Sequence, residues 1–215
     1  MIDLDNAATL AAETLVKYNV RFAPVSPMKI LEQMDNVIVI SFSELGEKNG
    51  VDRRDILSTF GRIRDAVTSI HTQSGSKKIV IAYNRLLPFS LIQRALAREL
   101  AHIVLQHGDP TEETKQEAEC FANHLLCPRP LIHSVTATGI RLTEDMLANL
   151  TGVFDQTLIS IRHVPGTSVP PGLNRFVRGQ FLPFILNFLD YYRTVMPKDG
   201  SALADLGTFM DGYKE

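Results

Sequence analysis

The stretch Arg98-Glu99-Leu100-Ala101-His102 differs at its first position from the zinc-binding pattern His-Glu-x-x-His. In that pattern, two histidines four residues apart on one helix face bind the metal, and the glutamate activates a bound water molecule. Glu99 and His102 are present here, but the first ligand position holds Arg98, whose guanidinium has no lone pair to offer a metal. The stretch therefore predicts a helix with the layout of a zinc site and one ligand missing.

Further helices and strands are predicted around this stretch from apolar periodicity and from capping and turn residues. In chain order they are helices over 5–20 and 27–34, a strand over 36–42, a helix over 52–63, a β-hairpin of 65–73 and 77–83, and helices over 91–107 and 111–127. Thr111 is the expected N-cap of the last helix, and Pro128 follows its end. This order predicts an α+β fold in which a small sheet packs beside two helices.

The chain changes character after about residue 135. The elements predicted there are a short helix that begins after Thr143, a helix over 155–163, a Pro/Gly-rich linker over 164–172, an apolar helix over 174–195 and a weak helix from Ser201. We therefore predict two regions, an α+β domain over residues 1–135 and an α-helical C-terminal region over residues 136–215.

Charge and apolar patterning bound the class of protein. The net charge is -2, and residues 136–215 contain seven Lys and Arg against eight Asp and Glu, which is a poor footprint for direct nucleic-acid binding. The apolar segment 181–192 is too short to span a bilayer. Cys120 and Cys127 lie about 10 Å apart on one predicted helix, too far for a disulfide, so reduced thiols and a cytoplasmic location are expected.

The residues around Arg98 indicate an ion pair in place of a metal. Acidic residues of the helix over 111–127 are expected to face the first helix, and a buried arginine needs a carboxylate partner. Glu117 is the first choice for that partner, with Glu113 and Glu119 behind it.

Two separated motifs of the chain resemble the ImmA/IrrE metallopeptidase family. They are Tyr83-Asn84, Pro88 and Arg98-Glu99-Leu100-Ala101-His102-Ile103-Val104-Leu105-Gln106-His107-Gly108-Asp109, followed by Glu117-Ala118-Glu119-Cys120-Phe121-Ala122-Asn123-His124-Leu125-Leu126-Cys127-Pro128. The resemblance covers about residues 5–135. It implies a minimal zincin-like domain, cytoplasmic and common in mobile elements and stress circuits, whose active members cleave or otherwise relieve a transcriptional repressor.

Carried over from this family, Glu99 takes the general-base position and His102 the second zinc-ligand position. The family's third ligand is a glutamate on the following helix. The register from Phe121 puts Lys115 at that position, while Glu113 and Glu117 remain candidates. No zinc bound by three protein ligands is therefore expected, because cations fill ligand positions and a cation repels Zn²⁺.

The other histidines weigh less as site residues. His107 is expected at the C-terminus of the first helix, turned away from the face of His102. His124 could approach the cleft but is more simply a packing or surface residue, and His71 lies in a hairpin strand that could border a groove.

Two functions remain open from the sequence. The first is a catalytically degenerate relative that binds a protein partner, such as a helix-turn-helix repressor, without cleaving it and without a cofactor. The second is an active zinc endopeptidase with rearranged ligands, in which His102 acts with Glu113 or Glu117 and a further histidine.

Overall fold

A computed structural model of the chain describes residues 2–52, 55, 65–73, 76–108, 111–140, 142–152 and 167–195. The helices are α1 (Leu4–Lys17), α2 (Pro27–Leu31), α3 (Phe42–Asn49), α4 (Phe89–Val104), α5 (Glu112–Leu126), α6 (Arg129–Thr136), α7 (Glu144–Thr151) and α8 (Pro171–Val195). The strands are β1 (Val37–Ser41), β2 (Ala66–Gln73) and β3 (Ser76–Tyr83). The expected α+β fold with a helical C-terminal part is confirmed.

The three strands form one sheet in the order β1-β3-β2. The predicted hairpin is present, since β2 pairs antiparallel with β3, while β1 pairs parallel with β3 on its other side. Ile79 and Ile81 of β3 are buried, and their neighbours on β2 are Ile70 and Thr68. Because paired residues share a sheet face, Thr68 and Ile70 lie on the face that packs towards the core.

The helix that contains Glu99 and His102 packs against α5 and against β2, as the sequence predicts. Its buried residues include Leu96 and Leu100, at helical spacing. Thr111 caps α5: its hydroxyl accepts a hydrogen bond from the Thr114 backbone N–H, and the Thr114 side chain reaches back to the Thr111 backbone. The helical pair beside the sheet is what positions the candidate site.

Two helices were not predicted. The segment after β1 continues directly into α3, because Ser41 and Glu44 form a reciprocal capping box at its start and Phe42 is buried. Pro128 ends α5, yet α6 begins immediately after it, because proline is tolerated in the first turn of a helix.

The long helix α8 contributes to the main core. It packs on α1 and α6, and Phe181, Phe184 and Phe188 are fully buried in the same cluster as Ala8 and Leu125. The predicted division at about residue 135 stays a prediction.

Three predicted elements fall in segments that the described residues cover little or not at all. They are the helices over 52–63, over 155–163 and from Ser201. Within the described part of the chain, no helix is both long enough and apolar enough to cross a bilayer.

Candidate functional site

Helix α4 presents Arg98, Glu99 and His102 to a cleft between α5 and the sheet. Two adjoining cavities, of about 700 and 500 Å³, share Glu99 and His102 as lining residues. The larger cavity is lined mainly by charged side chains: Asp65, Arg94, Arg98, Glu112, Lys115 and Glu119. The smaller cavity has a mixed lining, in which Val67, Ile70, Ile79 and Ile103 are apolar and Lys77, Gln106 and His107 are polar. The expected cleft beside Glu99 and His102 is therefore present, with one mainly charged and one partly apolar side.

Glu99 is hydrogen-bonded to the sheet. Its carboxylate accepts a hydrogen bond from Thr68 Oγ1 on β2 at 2.5 Å. Thr68 was not among the predicted site residues, although strand alternation places it on the same face as Ile70. The contact orients the carboxylate at the junction of the two cavities.

His102, His107 and Glu117 form a hydrogen-bonded chain. The Nδ1 atoms of His102 and His107 lie 2.8 Å apart, and His107 Nε2 lies 3.0 Å from Glu117 Oε2. The other carboxylate oxygen of Glu117 accepts a hydrogen bond from the backbone N–H of Asp3 at 2.7 Å. Both oxygens of Glu117 are therefore engaged, one by the N-terminal segment and one by His107.

The chain of contacts defines the ring tautomers when both histidines are neutral. His107 donates from Nε2 to the Glu117 carboxylate, so its Nδ1 carries the lone pair and accepts from His102 Nδ1. The remaining nitrogen of His102, Nε2, then carries a lone pair. Burial is the main cause that lowers the pKa of His102, followed by its electrostatic interactions with His107 and Arg98, and this favours the neutral form of His102.

The expectation that His107 faces away from His102 is wrong. Helix α4 ends at Val104, and Gln106 adopts a left-handed backbone conformation with φ of 55°. This turn reverses the chain and brings the ring of His107 back to His102. Extrapolating the helix to residue 107 placed that ring on the wrong face, because sequence periodicity cannot show where a helix stops.

Arg98 does lie within reach of a carboxylate, but the expected partner is wrong. Its Nη2 atom lies 3.2 Å from Oδ2 of Asp65, the residue just before β2. The expected partner was Glu117. The side chains of Arg98 and Asp65 are 35% and 46% exposed, so solvent surrounds much of this ion pair. Asp65 was missed because it was assigned to the hairpin, with no sign that this end of the strand meets α4.

The remaining acidic candidates on α5 differ in position, and Glu119 lines the larger cavity of the cleft. Glu119 pairs with Arg94 at 2.6 Å, and Lys115 lies 3.4 Å from Glu112 near the surface. Glu113 is exposed and does not line either cavity. Of the α5 carboxylates considered as ligands, Glu117 is therefore the one joined to the histidine pair.

His124 does not approach this cleft. Its Nε2 lies 2.7 Å from Thr167 Oγ1, and the ring lines a separate cavity of about 180 Å³ beside α1 and the start of α8. Burial, and secondarily Arg129, lowers its pKa to about 4. His71 is exposed on β2 and lines neither cavity of the cleft.

The residues of the cleft do not fit a three-ligand zinc site in this arrangement. Arg98 has no lone pair, and both Glu117 oxygens accept hydrogen bonds. His107 uses one ring nitrogen towards His102 and the other towards Glu117, so the three side chains follow one another and do not converge. Within the described residues, no three His, Cys, Asp or Glu side chains are placed to hold a metal ion.

Comparison with known families agrees with the motif resemblance. The family model peptidase M78, described as IrrE N-terminal-like domain, matches residues 38–159, which is more than half of the chain. That range contains all but the first residue of β1, the hairpin and both helices of the cleft. No curated protein and no solved structure matches the chain.

Proposed function

We propose that this chain, which belongs to the peptidase M78 family of IrrE N-terminal-like domains, binds a protein partner in its cleft without hydrolysing it. The observation that supports the proposal is the pair of Arg98 and Asp65. A guanidinium stands at the position of the first metal ligand, and a carboxylate 3.2 Å away holds it there. A positive charge at this point repels a metal cation. The cleft is therefore kept, while metal binding at the first ligand position is disfavoured.

The cleft has the features that an extended partner segment requires. β2 is an edge strand of the sheet, and an edge strand offers backbone groups that a second chain can pair with. The partly apolar cavity beside it is lined by Ile70 and Ile103, and Ile70 is 54% exposed. A segment with alternating apolar side chains would therefore find both backbone partners and a pocket. A helix-turn-helix repressor is the first candidate, because the family resemblance implies that class.

Binding can be tested with the repressor encoded nearest to the gene, with and without added zinc. We expect a complex and an intact repressor in both conditions. Ile70→Glu should weaken binding at least about tenfold, because a charge would replace one of the apolar side chains that the partner's apolar residues contact. Ile38→Glu is the matched control, since Ile38 is 44% exposed on the opposite edge strand. Cleavage that disappears in Glu99→Gln would overturn the proposal.

One observation favours the second candidate, an active zinc endopeptidase with rearranged ligands. His102, His107 and Glu117 are three ligand-type side chains in direct succession. Elemental analysis of untagged protein distinguishes the two functions. Stoichiometric zinc that is lost in His102→Ala and His107→Ala, but kept in His133→Ala, would establish this alternative. Arg98→His should raise the affinity for zinc, because it removes the charge and adds a ligand.

A further inference from the structure

The solvent-facing side of α8 carries a line of exposed apolar residues that has no role in the cleft. The opposite face is buried through Phe181, Phe184 and Phe188, yet Leu182 and Leu186 are 46% and 56% exposed. The space around Gly179 is open, with no atom within 4 Å of where a Cβ would stand. Exposed leucines at helical spacing, beside a residue without a side chain, leave room for a second helix to approach closely.

A charged residue lies at each end of this line of residues on α8. Arg175, Gly179, Leu182, Leu186 and Asp190 follow one another at steps of four, three, four and four residues, which places them within about 80° of one another around the helix. Arg175 and Asp190 are exposed. The face therefore has a basic N-terminal end, an apolar middle and an acidic C-terminal end.

We infer that this line of α8 is the contact surface of a homodimer in which two copies of α8 pack antiparallel. A two-fold axis between residues 182 and 183 places Arg175 of one copy opposite Asp190 of the other, twice. The same axis places Leu186 opposite Gly179, so that each leucine fills the open space of the partner helix. One helix face thus complements itself in charge and in shape, which is the requirement for an isologous contact.

A parallel arrangement does not have this complementarity. It would bring Arg175 close to Arg175 and Asp190 close to Asp190, and like charges in contact disfavour association. Pro183, which is exposed inside the helix, lies near the centre of the antiparallel contact. The charge order along the helix therefore selects the antiparallel pair.

The size of the surface sets the strength of the dimer. Residues 175–190 span about 24 Å of helix, and one helix pair of this length lies at or below the lower end of stable interfaces. We expect a reversible dimer with a dissociation constant in the micromolar range, about 10–100 µM. Sedimentation velocity of the full chain over about 1 to 500 µM should show a monomer that converts to a dimer.

Charge reversal tests both the surface and its direction. Arg175→Glu alone and Asp190→Arg alone should each weaken the dimer about fivefold or more, because two opposite-charge contacts become like-charge contacts. The double variant should restore the dissociation constant to within about twofold. Restoration does not follow from a parallel pair or from a different surface.

Leu186→Glu provides the test of the apolar part, and it should leave the chain monomeric across the whole range. Leu86→Glu is the matched control, since Leu86 is 60% exposed and lies outside α8. Circular dichroism and thermal unfolding at low concentration check that each variant folds. A chain that stays monomeric, or a dimer that Leu186→Glu leaves unchanged, would overturn the inference.

Discussion

At the scale of single residues, Arg98 and Asp65 form an ion pair of modest strength beside the cleft. Both side chains are more than a third exposed, and solvent screens such pairs. The ion pair therefore contributes charge to the cleft but little to the free energy of unfolding.

We expect a coupling free energy of about 0.2–1 kcal/mol between Arg98 and Asp65. It is measured by urea unfolding of Arg98→Ala, Asp65→Ala and the double variant in a double-mutant cycle. The same cycle with Arg94 and Glu119 should give a larger value, because that pair is closer and less exposed. A coupling of several kcal/mol for Arg98 would contradict this assignment.

His124 should make the stability of the protein depend on pH. Its pKa is about 4 in the folded chain, whereas an unfolded histidine has its ordinary value near 6.5. Between these values the unfolded chain binds a proton that the folded chain does not. The stability that the neutral ring contributes is thus complete above about pH 6.5 and is lost as pH falls towards 4, by up to about 3 kcal/mol.

The measurement compares the free energy of unfolding at about pH 7 and pH 4.5 for the unaltered chain and for His124→Gln. The variant should lose less stability on acidification, because glutamine does not titrate. His133→Gln is the control, since His133 is exposed on α6 and should leave the pH dependence unchanged. Equal losses in the unaltered chain and His124→Gln would show that the buried ring does not control this response.

At the scale of elements, helix ends with left-handed residues determine where the chain turns. Gly152 ends α7 with φ of 66°, and Gly50 ends α3 with φ of 65°. Glycine adopts this conformation without steric cost, whereas a residue with a Cβ atom adopts it only at a cost in free energy. The two positions differ in surroundings, because a Cβ at Gly152 would lie 2.9 Å from Pro24 Cβ and one at Gly50 would meet nothing.

Gly50→Ala should destabilise the protein by about 1–2 kcal/mol, the cost of the left-handed backbone alone. Gly152→Ala should cost more, because Pro24 must also move. Chemical unfolding of both variants gives the difference directly. Equal effects would mean that the segment around Pro24 shifts freely, contrary to the close packing seen between it and α7.

At the scale of the whole molecule, α8 is part of the same core as the helices of the cleft. One cluster of buried residues contains side chains from α1, α4, α5 and α8. Loosening α8 should therefore reduce the stability of the entire chain.

We expect Phe184→Ala to destabilise the protein by about 3–5 kcal/mol, because a fully buried ring leaves a cavity. The matched control is Phe176→Ala on the same helix, where the side chain is 70% exposed and the change should stay within about 0.5 kcal/mol. Both are measured at a concentration where the chain is monomeric. A small effect of Phe184→Ala would show that α8 is not coupled to the remaining core.

The sequence by itself was sufficient for the hairpin, for α4 and α5, and for the family. Alternation at Ile79 and Ile81, the cap at Thr111 and the stop at Pro128 are local signals, and neighbouring residues along the chain control them. The position of Glu99 and His102 in one cleft follows from helical spacing in the same way.

Which side chains of different elements contact one another depends on how those elements pack in the folded chain. Asp65 reaches Arg98 because the start of β2 lies against α4, and His107 reaches His102 because Gln106 turns the chain after α4 ends. Glu117 joins that histidine pair, while His124, seven residues later, lines a different cavity. These contacts depend on the relative placement of elements far apart in sequence, and periodicity within one element contains no information about that placement.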